Sequence, residues 1–70
     1  MQRDYTCTIK HGGGFGGGYG GTYRSEHSYQ SGHRAGSKAN EADALSAWRR
    51  SHGRAGWCEV VPGSVRLDRD

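Results

Sequence analysis

The sequence predicts an α+β fold in which one helix packs on a small antiparallel sheet, in the order strand, strand, helix, strand. Three observations predict it: two early segments alternate polar and apolar residues, a later segment has helical spacing, and a dense apolar run follows. The chain has 70 residues, which is enough for one small domain. We therefore expect residues 1–70 to form a single domain.

The first two strands are indicated by side chains that alternate with a period of two. In DYTCTIK, Tyr5, Cys7 and Ile9 share one side of the strand. In TYRSEHSYQ, the residues from Tyr23 to Tyr29 alternate in the same way. The second segment is the more polar, so we expect it at an edge of the sheet. The two strands should pair as an antiparallel hairpin across the glycine-rich segment between them.

The segment NEADALSAWRRSHG predicts the helix. Asn40 is expected as its N-cap, Asp43 partly completes a capping box, and Gly53 is expected as the C-terminal cap. At about 100° per residue, Ala44, Leu45 and Trp48 fall on one apolar stripe. We expect the helix to pack on the sheet through this stripe.

The run WCEVV at residues 57–61 predicts a central, buried strand because it is the densest apolar segment of the chain. Pro62 and Gly63 then predict a turn or a kink. Beyond them, the segment SVRL either extends the same strand or folds back as a short edge strand.

The N-terminal segment MQRDYTCTIK lacks the apolar run of a signal peptide, so we expect an intracellular protein that does not act at a membrane. Cys7 and Cys58 are then expected to be reduced, with a disulfide between neighbouring strands as the alternative. Cysteines and histidines lack the close pairing typical of zinc sites, so no metal or other cofactor is expected. No nucleophilic triad or phosphate-binding loop has local support, so we do not expect an enzyme.

The segment HGGGFGGGYGG at residues 11–21 holds eight of the thirteen glycines. This composition predicts a flexible loop, because glycine is the costliest residue to order. One hypothesis is a low-complexity connection between the two strands. The other is a recognition loop, in which Phe15 and Tyr19 become ordered when they stack on bases or enter a protein pocket.

Basic residues outnumber acidic ones, ten against seven, for a net charge of +3. Those around the predicted helix either form a phosphate-facing patch or a solvated helix face. Large apolar side chains are few, so a homodimer or a host complex is expected to supply further burial. The candidate partner-binding residues are Phe15, Tyr19, Arg24, Arg34, Lys38, Arg49, Arg50 and Arg54.

Across residues 22–67, TYRSEHSYQ, NEADALSAWRR and GWCEVVPGSVRL resemble small bacteriophage host-takeover proteins of the same element order. These include T7-type inhibitors of host RNA polymerase and small anti-CRISPR proteins. The resemblance implies a non-enzymatic phage or mobile-element inhibitor in the cytoplasm of a bacterial host cell. It also implies a host protein or ribonucleoprotein complex as partner. The matching positions are Glu41, Ala42, Leu45, Trp48, Glu59, Val60 and Arg66.

A shorter segment, GSKANEADAL at residues 36–45, is similar to the helix start of double-stranded RNA-binding domains. In that family, lysines at the helix start contact phosphate, and Lys38 is the residue that matches here. This resemblance implies RNA binding. The alternative function is direct binding of RNA or DNA, in which Phe15 and Tyr19 stack on bases and five basic residues contact phosphate: Arg34, Lys38, Arg49, Arg50 and Arg54.

Overall fold

The computed structural model describes residues 1–12, 22–53 and 56–68. Within them, a four-stranded antiparallel sheet packs against one helix. This confirms the predicted α+β fold and the order strand, strand, helix, strand. No helix in these ranges combines the length and the apolar character needed to cross a membrane. The elements are β1 (Arg3–Gly12), β2 (Thr22–Ser31), α1 (Lys38–His52), β3 (Trp57–Val60) and β4 (Arg66–Leu67).

Strands β1 and β2 form the predicted antiparallel hairpin. Their pairing is unbroken from Arg3 opposite Ser31 to Gly12 opposite Thr22. In the sheet order β2-β1-β3, β2 lies at an edge, as predicted from its polar sequence. The alternating side chains of β1 divide the sheet into a helix side, which carries the buried core residues, and an opposite side, which is mainly polar.

The predicted loop at residues 11–21 begins later than expected. His11 and Gly12 belong to β1, because they continue its pairing with both neighbouring strands. The rest of the predicted loop, with Phe15 and Tyr19, lies outside the described residues.

The central strand is β1, so the prediction of a central strand at residues 57–61 was wrong. β1 pairs with β2 on one side and with β3 and β4 on the other. β3 is a four-residue edge strand, and Val60 is its buried residue. Apolar density did not reveal the strand order, because a strand at an edge can still be apolar where it faces the helix.

The turn at Pro62 and Gly63 separates β3 from β4, and both strands pair with β1. Gly63 has a φ of +79°, a conformation that favours glycine. The Val61 N–H donates to the Thr8 carbonyl at 3.0 Å, and the Ser64 Oγ accepts from the Thr8 N–H at 3.1 Å. The Ser64 side chain thus takes the place of a backbone carbonyl as the acceptor for Thr8. Beyond the turn, SVRL continues in the direction of β3 along β1.

Helix α1 begins at Lys38, earlier than predicted. Ser37 is the N-cap, and its side chain accepts from the Asn40 N–H at 3.1 Å. The prediction of Asn40 as N-cap was therefore wrong: Asn40 lies in the first turn. At the other end, Gly53 caps the helix as predicted, with a φ of +79° and an N–H that donates to the Arg49 carbonyl at 2.8 Å.

Both cysteines are unbridged, as predicted. Cys58 lies opposite His11, four positions along β1 from Cys7. Four residues of a strand span roughly 13 Å, well beyond the reach of a disulfide. Cys7 is fully buried, and its burial raises the pKa of the thiol to about 11.

The core lies between the helix side of the sheet and one face of α1. Trp48 is 6% exposed, whereas Leu45 is half-buried and packs against the margin of the core. Of the three residues of the expected stripe, Ala44 and Trp48 are therefore buried, and Leu45 lies at its margin. The buried hydrophobic residues are Tyr5, Cys7, Ile9, Tyr29, Ala44, Trp48 and Val60.

We expect Trp48→Ala to lower the free energy of unfolding by about 3 to 5 kcal/mol, because it empties the centre of the core. Leu45→Ala should cost only about 1 to 2 kcal/mol, since part of that side chain is already in water. Urea unfolding, monitored by far-ultraviolet circular dichroism, measures the loss in the free energy of unfolding for each variant. Equal losses for the two variants would contradict this description of the core.

Candidate functional site

An aromatic cluster around Trp48 connects the core to the surface at the end of α1. Three imidazole rings contact the indole, with ring-centroid distances of 4.7 Å to His11, 5.4 Å to His27 and 3.7 Å to His52. His52 stacks almost parallel to the indole, at 10°. Because His11 and His27 come from β1 and β2, the cluster ties both hairpin strands to the last turns of the helix.

Hydrogen bonds to backbone carbonyls orient two of these rings. The Nε2 of His27 lies 3.1 Å from the Ala44 carbonyl, and the Nδ1 of His52 lies 3.1 Å from the Trp48 carbonyl. Since a carbonyl only accepts, each of these nitrogens carries the proton and donates. Among the described residues, no group of three or more His, Cys, Asp or Glu is arranged to hold a metal ion.

A cleft of about 230 Å³ opens beside the cluster, where α1 ends. We call it the helix-end cleft. Gly12, the last residue of β1, also lines it, so the cleft lies at the end of the sheet where the glycine-rich segment begins. Apart from glycines, the residues that line it are His11, Trp48, Arg49, His52, Trp57 and Cys58.

The surface around the helix-end cleft carries cations and an exposed indole. Trp57 is 42% exposed, and Arg49 is exposed on the helix. Arg49 also borders a neighbouring hollow, which Ser46 and Arg50 line with it. Guanidinium groups bind carboxylates and phosphates, and an exposed indole can stack on planar rings. The cleft therefore offers recognition of anionic and aromatic groups.

The structure brings together two of the predicted partner-binding residues, Arg49 and Arg50. Lys38 lies eleven residues before Arg49, at the other end of α1, which is roughly 16 Å along the helix axis. Arg34 lies in the segment just before the N-cap, near Lys38. Arg24 is in β2, beside Lys10 on the opposite side of the sheet.

The basic residues around α1 were one predicted patch, but those that are described divide between its two ends. All five described candidates are exposed: Arg24, Arg34, Lys38, Arg49 and Arg50. Phe15, Tyr19 and Arg54 lie outside the described residues.

Sequence reasoning missed Trp57 as a site residue because it was assigned to a buried strand. In β3, Cys58 and Val60 are opposite His11 and Ile9, so they face the helix side of the sheet. Trp57 alternates with them, so it is not held in the core as Val60 is, and it is exposed at the start of β3, where it lines the helix-end cleft. Its alternation with Cys58 and Val60, together with the glycine before it, is the signal that could have identified it.

We expect stability to fall as the pH drops below the ordinary histidine pKa of 6.5, because burial lowers the pKa of His27. The nearby His52 also lowers it, whereas the hydrogen bond to the Ala44 carbonyl opposes the shift. The imidazole of His27 therefore binds a proton more readily in the unfolded chain than in the folded chain. The contribution of neutral His27 to the free energy of unfolding is fully present above pH 6.5. It is lost as the pH falls towards the pKa of His27 in the folded chain.

Urea unfolding between pH 7 and pH 5 tests this on the wild type and on His27→Gln, whose amide can still donate to the carbonyl. The variant should show a weaker loss of stability with falling pH. His33→Gln, at an exposed histidine, is the matched control and should behave like the wild type. Identical pH profiles for all three proteins would show that His27 is not responsible.

Comparisons with protein-family models, with curated proteins and with solved structures find no match to this chain.

Proposed function

We propose that the protein is a non-enzymatic binding protein of phage or mobile-element type. Its partner is a host nucleic-acid machine, RNA polymerase or a CRISPR complex, which it inhibits. The observation that carries the proposal is the surface around the helix-end cleft, where Arg49, Arg50 and Trp57 are exposed together. The resemblance to host-takeover proteins supports the class of partner.

The residue types at this surface suit a protein interface. Arginine and tryptophan are enriched among the residues that dominate binding energy. Arg49 and Arg50 lie outside the buried face of α1, so they are available to a partner without a change in the core. A net charge of +3 also favours encounter with acidic or nucleic-acid-bearing machines.

Direct binding of RNA or DNA is the second candidate function. It is favoured by two exposed residues, Trp57 and Arg49, that line the same cleft. An indole can stack on an unpaired base while a guanidinium contacts the neighbouring phosphate. In this case the helix-end cleft, rather than Lys38 at the helix start, would be the contact.

We expect Arg49→Glu/Arg50→Glu to weaken binding to the host machine at least tenfold, about 1.4 kcal/mol, while leaving the fold intact. Both side chains are exposed, so the circular dichroism melt should stay close to that of the wild type. Affinity is measured by titration against purified bacterial RNA polymerase and against a CRISPR effector complex, with transcription or DNA cleavage as the readout of inhibition. The matched control is Arg34→Glu/Lys38→Glu, which makes the same charge change at the other end of α1.

Similar affinities for both double variants would exclude a specific role for the helix-end cleft. Absence of binding and inhibition with every host machine tested would contradict the proposed function itself. A gel shift with purified RNA and DNA at two salt concentrations separates the second candidate, because phosphate contacts weaken steeply with salt. No shift at low salt would end the hypothesis of direct nucleic-acid binding.

A further inference from the structure

The outer edge of β2 has no strand beside it in the described part of the chain, where β2 is paired only with β1. The strand has ten residues and pairs with β1 without a bulge. It contains neither proline nor lysine, two residues that commonly protect edge strands from pairing with another chain. At the other edge of the sheet, the turn at Pro62 and Gly63 interrupts the strand. The long regular edge of β2 is therefore the better template for strand addition.

The hydrogen bonds of Thr8 show in which direction the backbone of β1 points. Its carbonyl accepts from Val61, and its N–H donates to Ser64, so both groups face β3 and β4. Backbone groups of successive residues in a strand point to opposite edges. Those of Cys7 and Ile9 therefore point towards β2.

The same alternation gives the direction of the backbone in β2. His27 and Ser25 are opposite Cys7 and Ile9, so their backbone groups point inwards to β1. The N–H and C=O groups of the intervening residues, Arg24 and Glu26, consequently point outwards at the free edge.

We propose that β2 pairs in an antiparallel manner with β2 of a second copy of this chain, with Ser25 at the two-fold axis. In this register, Arg24 lies opposite Glu26 of the second copy, and the pair occurs twice. The outward-facing backbone groups of these residues bond across the interface. Tyr23, which is 60% exposed, lies opposite His27 of the second copy on the helix side of both sheets.

Charge complementarity selects this register over its neighbours. A shift that centres the pairing on Arg24 places two arginines opposite each other, and one centred on Glu26 places two carboxylates opposite each other. Like charges directly opposite each other destabilise a strand pair, whereas opposite charges stabilise it. Glu26 is ionised at neutral pH, because hydrogen bonds from Arg66 and then Thr8 lower its pKa.

The pairing joins two four-stranded sheets into one continuous sheet. It does not depend on the proposed function, since the dimer forms without any host partner. The helix-end cleft is lined by β1, α1 and β3 and not by β2, so the dimer leaves it accessible.

Sedimentation equilibrium over a wide concentration range tests the proposal. The wild type should be dimeric, and Arg24→Glu should raise the dimer dissociation constant at least tenfold, because it places two carboxylates opposite each other twice. Glu26→Arg should also raise the dissociation constant at least tenfold, because it places two arginines opposite each other twice. An equimolar mixture of the two variants should regain a dimer, since in the mixed dimer both pairs between positions 24 and 26 have opposite charges.

Lys38→Glu is the matched control: it makes the same charge change outside β2 and should remain dimeric. Circular dichroism melts establish that each variant is folded. Glu26→Arg removes the ion pair with Arg66 and could unfold for that reason. Arg24→Glu keeps this ion pair, so a comparison of the dissociation constants of Arg24→Glu and Lys38→Glu still tests the proposal. A monomeric wild type, or an Arg24→Glu variant that dimerises like the control, would overturn the proposal.

Discussion

The buried side-chain amide of Asn40 is the contact on which the position of α1 depends. Its Oδ1 accepts from the Tyr29 hydroxyl at 2.5 Å, and its Nδ2 donates to the His33 carbonyl at 3.1 Å. Asn40 is fully buried, so water cannot replace a lost partner, and an unpaired group here would cost about 1 to 3 kcal/mol. Burial also raises the pKa of Tyr29, which keeps its hydroxyl protonated as the donor.

The hydrogen bonds of Asn40 determine which residues of α1 contact the sheet. Asn40, Ala44 and Trp48 follow one another at intervals of four residues, so they share one buried face of α1. Asn40 is hydrogen-bonded to Tyr29, and on the same face of the helix the Ala44 carbonyl accepts a hydrogen bond from His27. One turn further on, Trp48 contacts the three histidine rings. The helix needs few large apolar residues because polar contacts hold its start and aromatic contacts hold its end. The same orientation turns Arg49 and Arg50 away from the core.

The features that the sequence predicted correctly depend on local signals. Alternation over residues 4–10 and 22–30 is sufficient to indicate the two strands of the hairpin, and Gly53 after a basic last turn is sufficient to end the helix. The N-cap was missed because Ser37 and Asn40 are equally good capping residues, and what distinguishes them is the contact of Asn40 with Tyr29. That contact joins α1 to β2 and leaves no trace in the local sequence.

The strand order and part of the candidate site also depend on contacts between distant segments. The apolar run of β3 looked central, but β1 is the strand that is paired on both sides. For the site, the positions of Arg49 and Arg50 off the apolar stripe could be predicted from helical spacing. For Trp57, alternation separates it from Cys58 and Val60, but only the contact of β3 with the helix shows which of the two sets is buried.

The central claim is that the hydrogen bond between Tyr29 and Asn40 fixes the helix on the hairpin, and a double-mutant cycle tests it most directly. Urea unfolding of the wild type, Tyr29→Phe, Asn40→Ala and the double variant gives the coupling free energy between the two residues. We expect a coupling of about 1 to 3 kcal/mol, because either single change leaves the other group buried without its partner. Additive losses, with a coupling near zero, would contradict the claim.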